Sequence, residues 1–344
     1  MEIDINKSSL GPVILDINGL ILSKNDERRI CHPLTGGVIL FSKNFKNRKQ
    51  LISLCKSIKK IKPGIIVTVD HEGGSVQRFK KSGFTILPPM RKLGFLWEKD
   101  YFLSLQVATA FGFILGSELL ACGVDFSFTP VLDLDYGNSS VISDRAIHND
   151  PRVVTIIAKS LSYGLMLAGM GNCGKHFPGH GYVSSDSHLE ISYDNREPKV
   201  IFEKDISPYK WLGMSLKAVM LSHVVYPKFD NKPACFSKKW IYFLKKRLNF
   251  NGVIFSDDLS MLGARIYGDV LNCAEGALSS GCDLIIVCNS EKNSDYILEG
   301  LKYDQFKKSM KKICSLKPIN KTLDWKKLKE NFEYKSAKKI LSFL

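Results

Sequence analysis

Short apolar runs recur along this chain, and longer stretches with one apolar and one polar face lie between them. The runs are rich in β-branched residues and apolar at successive positions, which is typical of parallel strands covered on both faces. The longer stretches, among them 48–60, 101–122, 152–168 and 238–248, have helical periodicity. The predicted strands are 13–17, 36–41, 65–70, 125–132, 171–176, 219–223, 253–257 and 284–288.

Eight strands alternating with helices predict an α/β fold, a single-domain (β/α)8 TIM barrel. A doubly wound sheet is the alternative, but no G-x-G-x-x-G follows the first strand, which disfavours a dinucleotide-binding fold. We expect residues 1–344 to form one catalytic domain, because no linker-like segment or internal repeat divides them. Residues 290–344 are Lys-rich and helical in character, and we expect them to close the barrel and cover its flank.

Polar side chains stand where the predicted strands end. In a barrel of this kind the active site is built from the carboxyl ends of the strands, so these groups should converge on one mouth. They come from five of the eight strands, which is more than chance would readily place there. The residues concerned are Asp70, Asp133, Asp135, Lys175, His176, His223, Asp257 and Asp258.

Residues 172–188, NCGKHFPGHGYVSSDSH, combine a strand end with an irregular polar loop. Pro178 and Gly179 interrupt regular structure, and binding and catalytic groups are common on such segments. Asp186 and His188 are two residues apart, so in extended backbone the carboxylate can hold the imidazole. Such a pair makes a general acid/base that works near neutral pH.

The VIFSDDLSM segment delivers two adjacent carboxylates to the mouth. Both could cap the following helix, where Asp is favoured. Asp258 suits that role, whereas Asp257 at the strand end is better placed to face the pocket. A carboxylate beside a protonated acid is the arrangement for glycoside hydrolysis through a covalent intermediate, although the usual acid is a second carboxyl group rather than a histidine.

Three further segments offer groups for ligand binding. Asp70 could accept hydrogen bonds from vicinal hydroxyls with Arg78 orienting it, or the two could simply support their loop. Arg145 could reach the ligand or pair with Asp144 within its own loop. Lys175 and His176 suit recognition of hydroxyl or carbonyl groups, and a Schiff-base lysine is the alternative.

Composition narrows the function classes. The formal charge of +15 is spread over many lysines without a nucleic-acid-binding motif, so we interpret it as a solvated basic surface; a basic nucleic-acid-binding protein is the rival. The nine cysteines are scattered and contain no C-x-x-C pair, which argues against disulfides or a zinc ribbon. Residues 1–10 are polar and mixed, and no apolar run approaches the length of a membrane span. We therefore expect a cytoplasmic monomer without a membrane or nucleic-acid partner.

A metal site is the main alternative at the mouth, because four side chains of residues 172–188 could bind zinc. No H-x-H or H-E-x-x-H pattern occurs in the chain, so the sequence favours a site without metal. The side chains concerned are His176, His180, Asp186 and His188.

Collinear segments from residue 11 to about residue 289 resemble the bacterial β-N-acetylhexosaminidases of glycoside hydrolase family 3, including VDHEGGSVQRF, SDRAIHNDP, GKHFPGHGYVSSDSH and GVIFSDDLSM. The resemblance implies a retaining mechanism in which Asp257 is the nucleophile and His188, held by Asp186, is the general acid/base. It also implies a substrate with a terminal β-1,4-linked N-acetylglucosamine on 1,6-anhydro-N-acetylmuramic acid, as in peptidoglycan recycling, and no cofactor. The residues it places around the sugar are Asp70, Arg78, Arg145, Lys175 and His176, with Asp133, His223 and Met261 lining or supporting the pocket.

Three positions depart from the family's pattern. His71 stands where glutamine is usual, Ser75 where arginine is common, and Ile147 replaces an aromatic residue. None of them removes a proposed catalytic group, so they bear on fine specificity. Action on other β-linked sugars, or phosphate in place of water, are the alternatives, since a histidine acid/base carries no negative charge to repel phosphate.

Overall fold

The computed structural model describes residues 9–184, 191–319 and 323–344. Eight of its strands form one parallel sheet, in the spatial order Phe126–Ser127, Ile66–Val69, Thr35–Leu40, Val13–Asp16, Leu284–Val287, Val253–Asp258, Ala218–Leu221 and Cys173–Phe177. The two outer strands are brought together by residues 129–132, where the amide of Leu132 donates to the carbonyl of Lys175 over 2.7 Å. The result is a nearly closed barrel, and the predicted fold is confirmed. The strands are β1 Val13–Asp16, β2 Thr35–Leu40, β3 Ile66–Val69, β4 His71–Gly73, β5 Val76–Gln77, β6 Phe126–Ser127, β7 Cys173–Phe177, β8 Ala218–Leu221, β9 Val225–Tyr226, β10 Asp230–Pro233, β11 Val253–Asp258 and β12 Leu284–Val287.

Helices follow most of the barrel strands and cover the outside of the sheet. The side chains of the barrel strands are almost all buried, as expected of a parallel sheet enclosed on both faces. The helices are α1 Lys24–Cys31, α2 Arg48–Ile61, α3 Arg91–Trp97, α4 Tyr101–Ala121, α5 Pro151–Ala168, α6 Pro198–Glu203, α7 Ser207–Leu212, α8 Lys238–Tyr242, α9 Leu262–Arg265, α10 Val270–Ser280, α11 Glu291–Gly300, α12 Phe306–Leu316, α13 Trp325–Glu330 and α14 Phe332–Leu341.

Two predicted elements are shorter than expected. The fourth barrel strand has ladder pairing only at Phe126–Ser127, and the chain beyond it runs on as irregular backbone around Pro130, which has no N–H to donate. The helix predicted at 238–248 is α-helical only to Tyr242 and continues as a π-helical turn over Phe243–Arg247. Two antiparallel hairpins, β4–β5 and β9–β10, were not predicted, because their strands are too short to show a period.

The segment after residue 300 covers two parts of the barrel. Helix α12 lies across the amino-terminal end of the sheet, where Ile313 packs beside Gly36 at the start of β2. The ammonium of Lys312 donates to the carbonyl of Gly252, 2.6 Å away, just before β11. Helices α13 and α14 pack against α4 on the flank.

Helix α4 is apolar on nearly all sides, which is typical of a helix enclosed in a core. By length and composition alone it could cross a membrane, so the expectation that no segment reaches that length is wrong here. However, 72% of its most apolar stretch is buried inside the protein, and core helices pass the same test. Its packing partners are α3, α5, α13 and α14.

Helices α4 and α5 approach closely because each has a glycine at the contact. A Cβ on Gly112 would lie 2.0 Å from the carbonyl oxygen of Leu161, and one on Gly164 would lie 2.0 Å from that of Thr109. Both obstacles are backbone atoms, so neither can move without separating the two helices.

We expect Gly112→Ala to lower the free energy of unfolding by about 1–3 kcal/mol, the usual cost of overpacking a core. The loss should appear although alanine is the better helix former. Denaturant unfolding followed by circular dichroism measures it. Gly19→Ala is the control, because a Cβ there would meet its nearest atom at an ordinary 3.4 Å. Equal stability of both variants would contradict the close approach.

Candidate active site

A pocket of about 170 Å³ opens at the carboxyl end of the barrel strands. It contains every described side chain that the sequence analysis proposed as nucleophile or sugar-binding group. These residues come from distant parts of the chain, and the strand-end argument brings them together as expected. The lining residues are Asp70, Val76, Arg78, Val141, Ile142, Arg145, Lys175, His176, His180, Met220, Asp257 and Met261.

Asp257 is placed in this pocket by β11. Burial alone would raise the pKa of its carboxyl group, but electrostatic interactions with His176, His223 and Lys175 outweigh burial and hold that pKa below its ordinary value. One carboxylate oxygen also accepts the amide of Asp258 over 2.8 Å. Asp257 is therefore ionised at neutral pH, the form in which a carboxylate can attack an electrophilic carbon.

Asp258 points away from the pocket and stabilises the turn after β11. It accepts the amide of Ser260 at 3.0 Å and its hydroxyl at 2.7 Å, and it also accepts the amide of Cys288 at 3.2 Å. The last bond ties the end of β11 to the end of β12. The two adjacent aspartates thus have separate roles, one in the pocket and one in the turn.

A line of alternating charges forms one wall of the pocket. The ammonium of Lys175 lies 2.8 Å from Asp70 and 2.5 Å from Glu72, and Arg145 makes two 2.9 Å bonds to the Glu72 carboxylate. Burial lowers the pKa of Lys175, but Asp70 and Glu72 raise it by more than burial lowers it. The ammonium therefore stays charged. Arg145 pairs with Glu72 and not with Asp144. Of the two predicted arrangements, a pair within its own loop or a side chain at the pocket, the structure therefore has the second.

Asp133 holds both the ring and the backbone of His176. The carboxylate of Asp133 is 2.6 Å from Nδ1 of His176 and accepts the amides of His176 and His180 at 3.2 and 2.7 Å. Burial would raise the pKa of Asp133, but the His176 interaction outweighs it and lowers that pKa. With Nδ1 committed to Asp133, the Nε2 atom of His176 is the one available to a ligand.

The remaining predicted residues lie around this centre. Arg78 approaches Asp70 to 4.0 Å and lies over the Phe41 ring, 5.6 Å from its centroid. Met261 lines the pocket, whereas His223 is fully buried beneath it with Nε2 3.0 Å from the carbonyl of Asp258. Asp135, also at a strand end, is bonded to Arg91 and does not line the pocket.

The predicted acid/base pair, Asp186 and His188, lies outside the described residues. The chain on either side of it is held by Arg196. This guanidinium contacts the rings of Tyr136 and Tyr182, 4.7 and 4.2 Å from their centroids. It also forms ion pairs with Asp194 at 2.6 Å and with Asp205 at 3.0 Å.

Among the residues that the structure describes, neither a metal-ligand cluster nor a second cavity competes with this pocket as the site. Within residues 9–184, 191–319 and 323–344, no three His, Cys, Asp or Glu side chains come together as metal ligands. A larger groove of about 720 Å³ lies between α4 and α14, but its lining is mostly apolar and its only carboxylate in the described part is Glu333. The pocket at the strand ends has the convergent polar groups expected of an active site.

Sequence reasoning missed Glu72 and Arg196. Glu72 could have been found, because it stands two residues after Asp70 and side chains at that spacing point the same way in extended backbone. Arg196 is also two residues from one partner, Asp194, but its bond to Tyr136, 60 residues away, has no signal in the sequence.

Comparison with known proteins agrees with this geometry. The model described as "Glycosyl hydrolase family 3 N terminal domain" matches residues 15–316. A β-hexosaminidase of Bordetella parapertussis is 49% identical over 335 residues, covering 96% of this chain and 95% of the relative. One of Aromatoleum aromaticum is 47% identical over 338 residues, covering 97% and 95%. The structure of NagZ from Neisseria gonorrhoeae in complex with N-trifluoroacetyl-D-glucosamine superposes with a TM-score of 0.92 at 39% identity, covering 97% of this chain and 98% of that one.

The chain belongs to glycosyl hydrolase family 3, and its activity is that of a β-N-acetylhexosaminidase. Its substrate is accordingly a sugar, and the pocket is where the fold collects groups able to bind and attack one.

His71, one of the departures from the family's pattern, is buried beside this site. Its ring packs against Phe79 and Phe84, and its amide donates to the hydroxyl of Ser127 over 3.2 Å. Burial lowers the pKa of His71 from 6.5 to about 3. The imidazole is therefore neutral in the folded protein and cannot act as an acid near neutral pH.

We expect His71 to make the protein less stable as pH falls. Between about pH 6.5 and pH 3 the unfolded chain binds one more proton at this residue than the folded chain, so the free energy of unfolding drops by about 1.4 kcal/mol per pH unit. Above about pH 6.5, His71 is neutral in both the folded and the unfolded chain, so it no longer lowers the free energy of unfolding. Urea unfolding at pH 5.0–7.0 gives the free energy of unfolding at each pH. A plot of that free energy against pH should be less steep for His71→Gln than for the wild type. Identical slopes would show that His71 is already protonated in the fold.

Proposed function

We propose that this protein is a retaining, exo-acting β-N-acetylglucosaminidase. It would remove the non-reducing terminal β-1,4-linked N-acetylglucosamine from N-acetylglucosaminyl-1,6-anhydro-N-acetylmuramic acid and its peptide-bearing forms, as part of peptidoglycan recycling. The observation that carries the proposal is an ionised Asp257 in a small pocket whose wall supplies Lys175, His176 and Arg145 as hydrogen-bond donors.

The size and lining of the pocket support an exo action. A cavity of about 170 Å³ has room for a single sugar ring and not for a chain of them. Donors on one wall and the Asp70 carboxylate suit a ring with hydroxyl groups and an acetamido carbonyl. The Neisseria relative is bound to an N-acylated glucosamine, which favours the same class of ring here.

The mechanism we propose uses one carboxylate and one histidine. Protonated His188 donates its proton to the glycosidic oxygen while Asp257 attacks the anomeric carbon, and a covalent glycosyl-enzyme forms. Neutral His188 then takes a proton from a water molecule whose oxygen attacks the anomeric carbon and displaces the Asp257 carboxylate, so the sugar is released with its β configuration retained. Asp186 would hold the His188 ring and favour its protonated form.

We also propose that the enzyme works in the cytoplasm, as a monomer and without a cofactor. The basic surface is then a solvated face rather than a nucleic-acid site. Gel filtration at two ionic strengths and subcellular fractionation test these points separately from the reaction.

Wild-type enzyme should release p-nitrophenol from p-nitrophenyl β-N-acetylglucosaminide, and Asp257→Ala should reduce turnover to background, because the attacking group is absent. Azide added to this variant should restore activity and give the α-glycosyl azide, since it replaces the carboxylate on the same face of the ring. Asp269→Asn is the control, being an exposed helix cap in the chain that follows β11. An Asp257→Ala enzyme with near-normal turnover would rule out the assignment.

His188→Ala should separate substrates by leaving group. We expect a loss of about 10²–10⁴-fold on a disaccharide, whose departing alkoxide needs a proton, and a much smaller loss on the p-nitrophenyl glycoside. Equal losses on both would count against the acid role.

Product analysis with and without phosphate, in the same assays, distinguishes hydrolysis from phosphorolysis, because only phosphorolysis gives the sugar phosphate.

A further inference from the structure

Glu72 is the most enclosed charged group of the pocket wall. Its side chain is 2% exposed, and it does not line the pocket itself. One carboxylate oxygen accepts Nε of Arg145 at 2.9 Å, and the other accepts Nη2 of Arg145 at 2.9 Å and lies 2.5 Å from the ammonium of Lys175. The carboxylate therefore contacts two of the three Lys and Arg side chains that line the pocket, the third being Arg78.

The backbone that carries Glu72 is held rigidly. Strands β4 and β5 form a hairpin around Gly73 and Gly74, whose φ angles of +98° and +55° favour glycine. The amide of Gly74 donates to the carbonyl of Leu87 over 2.8 Å, and a Cβ on Gly73 would lie 2.4 Å from the carbonyl of Pro88. The hairpin is thus fixed on both sides, and the carboxylate has a defined position before any ligand arrives.

Counting donors shows what this position achieves. Arg145 has five N–H groups; Glu72 takes two and the carbonyl of Val141, 3.2 Å from Nη1, takes a third. Lys175 has three, of which Glu72 and Asp70 take one each. Among the described residues, two guanidinium N–H groups and one ammonium N–H group have no acceptor. Glu72 lies behind the pocket lining whereas Arg145 and Lys175 belong to it, so these are the donors left for a ligand in the pocket.

Stability alone does not account for such an arrangement. Buried ion pairs are often no more stabilising than apolar side chains of similar volume, because desolvation cancels much of the attraction. Proton transfer does not account for it either. Burial would raise the pKa of Glu72, but Arg145 and Lys175 outweigh burial and hold that pKa far below its ordinary value, so the group stays ionised.

We propose that Glu72 is a positioning residue for the glycosidase reaction, orienting the Arg145 and Lys175 donors that hold the terminal sugar. The proposal rests on the proposed function in one respect, namely that these two cations bind the sugar. Glu72 itself touches neither the sugar nor the leaving group, and it acts through the direction and charge of its two partners.

The test is Glu72→Gln in the full-length enzyme, with p-nitrophenyl β-N-acetylglucosaminide as substrate and free N-acetylglucosamine as competitive inhibitor. The amide oxygen can replace only one of the two carboxylate oxygens, because the amide nitrogen is a donor, and the negative charge that both cations face is lost. We expect the inhibition constant and KM to rise about 10- to 100-fold, as for the loss of one or two charge-assisted hydrogen bonds. The ratio of rates on good and poor leaving groups should not change, because Glu72 does not contact Asp257.

Glu118→Gln is the matched control. Glu118 is also a carboxylate with 2% exposure, but it bonds to Thr85 and to the hydroxyl of Tyr334 on the flank of the barrel. The same substitution there should lower the melting temperature without moving the inhibition constant. A purely structural role of Glu72 would make the two variants behave alike.

The pH dependence gives a second readout. Lys175 is surrounded by Asp70, Glu72, Arg145 and Asp257, with the thiol of Cys173 also nearby. Loss of the Glu72 charge removes one of the two carboxylates that raise the Lys175 pKa. Inhibitor binding to Glu72→Gln should therefore weaken at a lower alkaline pH than binding to the wild type, whereas the curve for Glu118→Gln should not move.

Glu72→Asp separates charge from position. This variant keeps the charge but withdraws the carboxylate by one methylene. Inhibitor binding should therefore weaken at the same alkaline pH as in the wild type, while the inhibition constant stays raised. If a folded Glu72→Gln or Glu72→Asp enzyme has the wild-type inhibition constant, the proposal is overturned. If neither variant folds, the carboxylate is required for folding, and this also overturns a role in positioning. Failure of the wild type to hydrolyse the substrate would instead refute the proposed function.

Discussion

The buried ammonium of Lys175 is the constraint on which the mouth of this barrel depends. An ammonium with 1% exposure cannot remain charged unless carboxylates replace its water shell, and here two of them do, one on each side. Those carboxylates, Asp70 and Glu72, then need a further cation, and Arg145 supplies it. The β4–β5 hairpin and the loop carrying Arg145 are thereby joined to β7 by one continuous line of opposite charges.

This line also explains why the pocket is organised before a sugar enters. Each charged group is held by partners of the opposite sign, so little reorientation is left to be done when a ligand binds. Asp133 performs the same task for His176 through the Nδ1 bond. The nucleophile candidate differs in this respect, because several electrostatic interactions, rather than one dedicated partner, keep the pKa of Asp257 low.

Much of the fold and the set of groups at the mouth could be predicted from sequence, because both follow from local patterns. Apolar runs locate the strands. Residues at the strand ends come together at one end of the barrel independently of the loop conformations, as Asp70, Lys175 and Asp257 illustrate. Pairings across the chain could not be predicted in the same way. Arg145 bonds to Glu72, 73 residues away, rather than to its neighbour Asp144, and only the closed barrel brings that pair together. The family resemblance added the roles of individual residues, and no local pattern fixes those.

The enclosure of α4 has a consequence for the synthesis of this protein. Helix α4 leaves the ribosome about 200 residues before α13 and α14, the helices that cover part of its apolar surface. At about 5–20 residues per second, that surface waits roughly 10–40 s for its partners. During this interval the nascent chain displays a helix that resembles a membrane segment in length and composition. The last helices thus determine how long the growing chain depends on chaperones to keep it from aggregating.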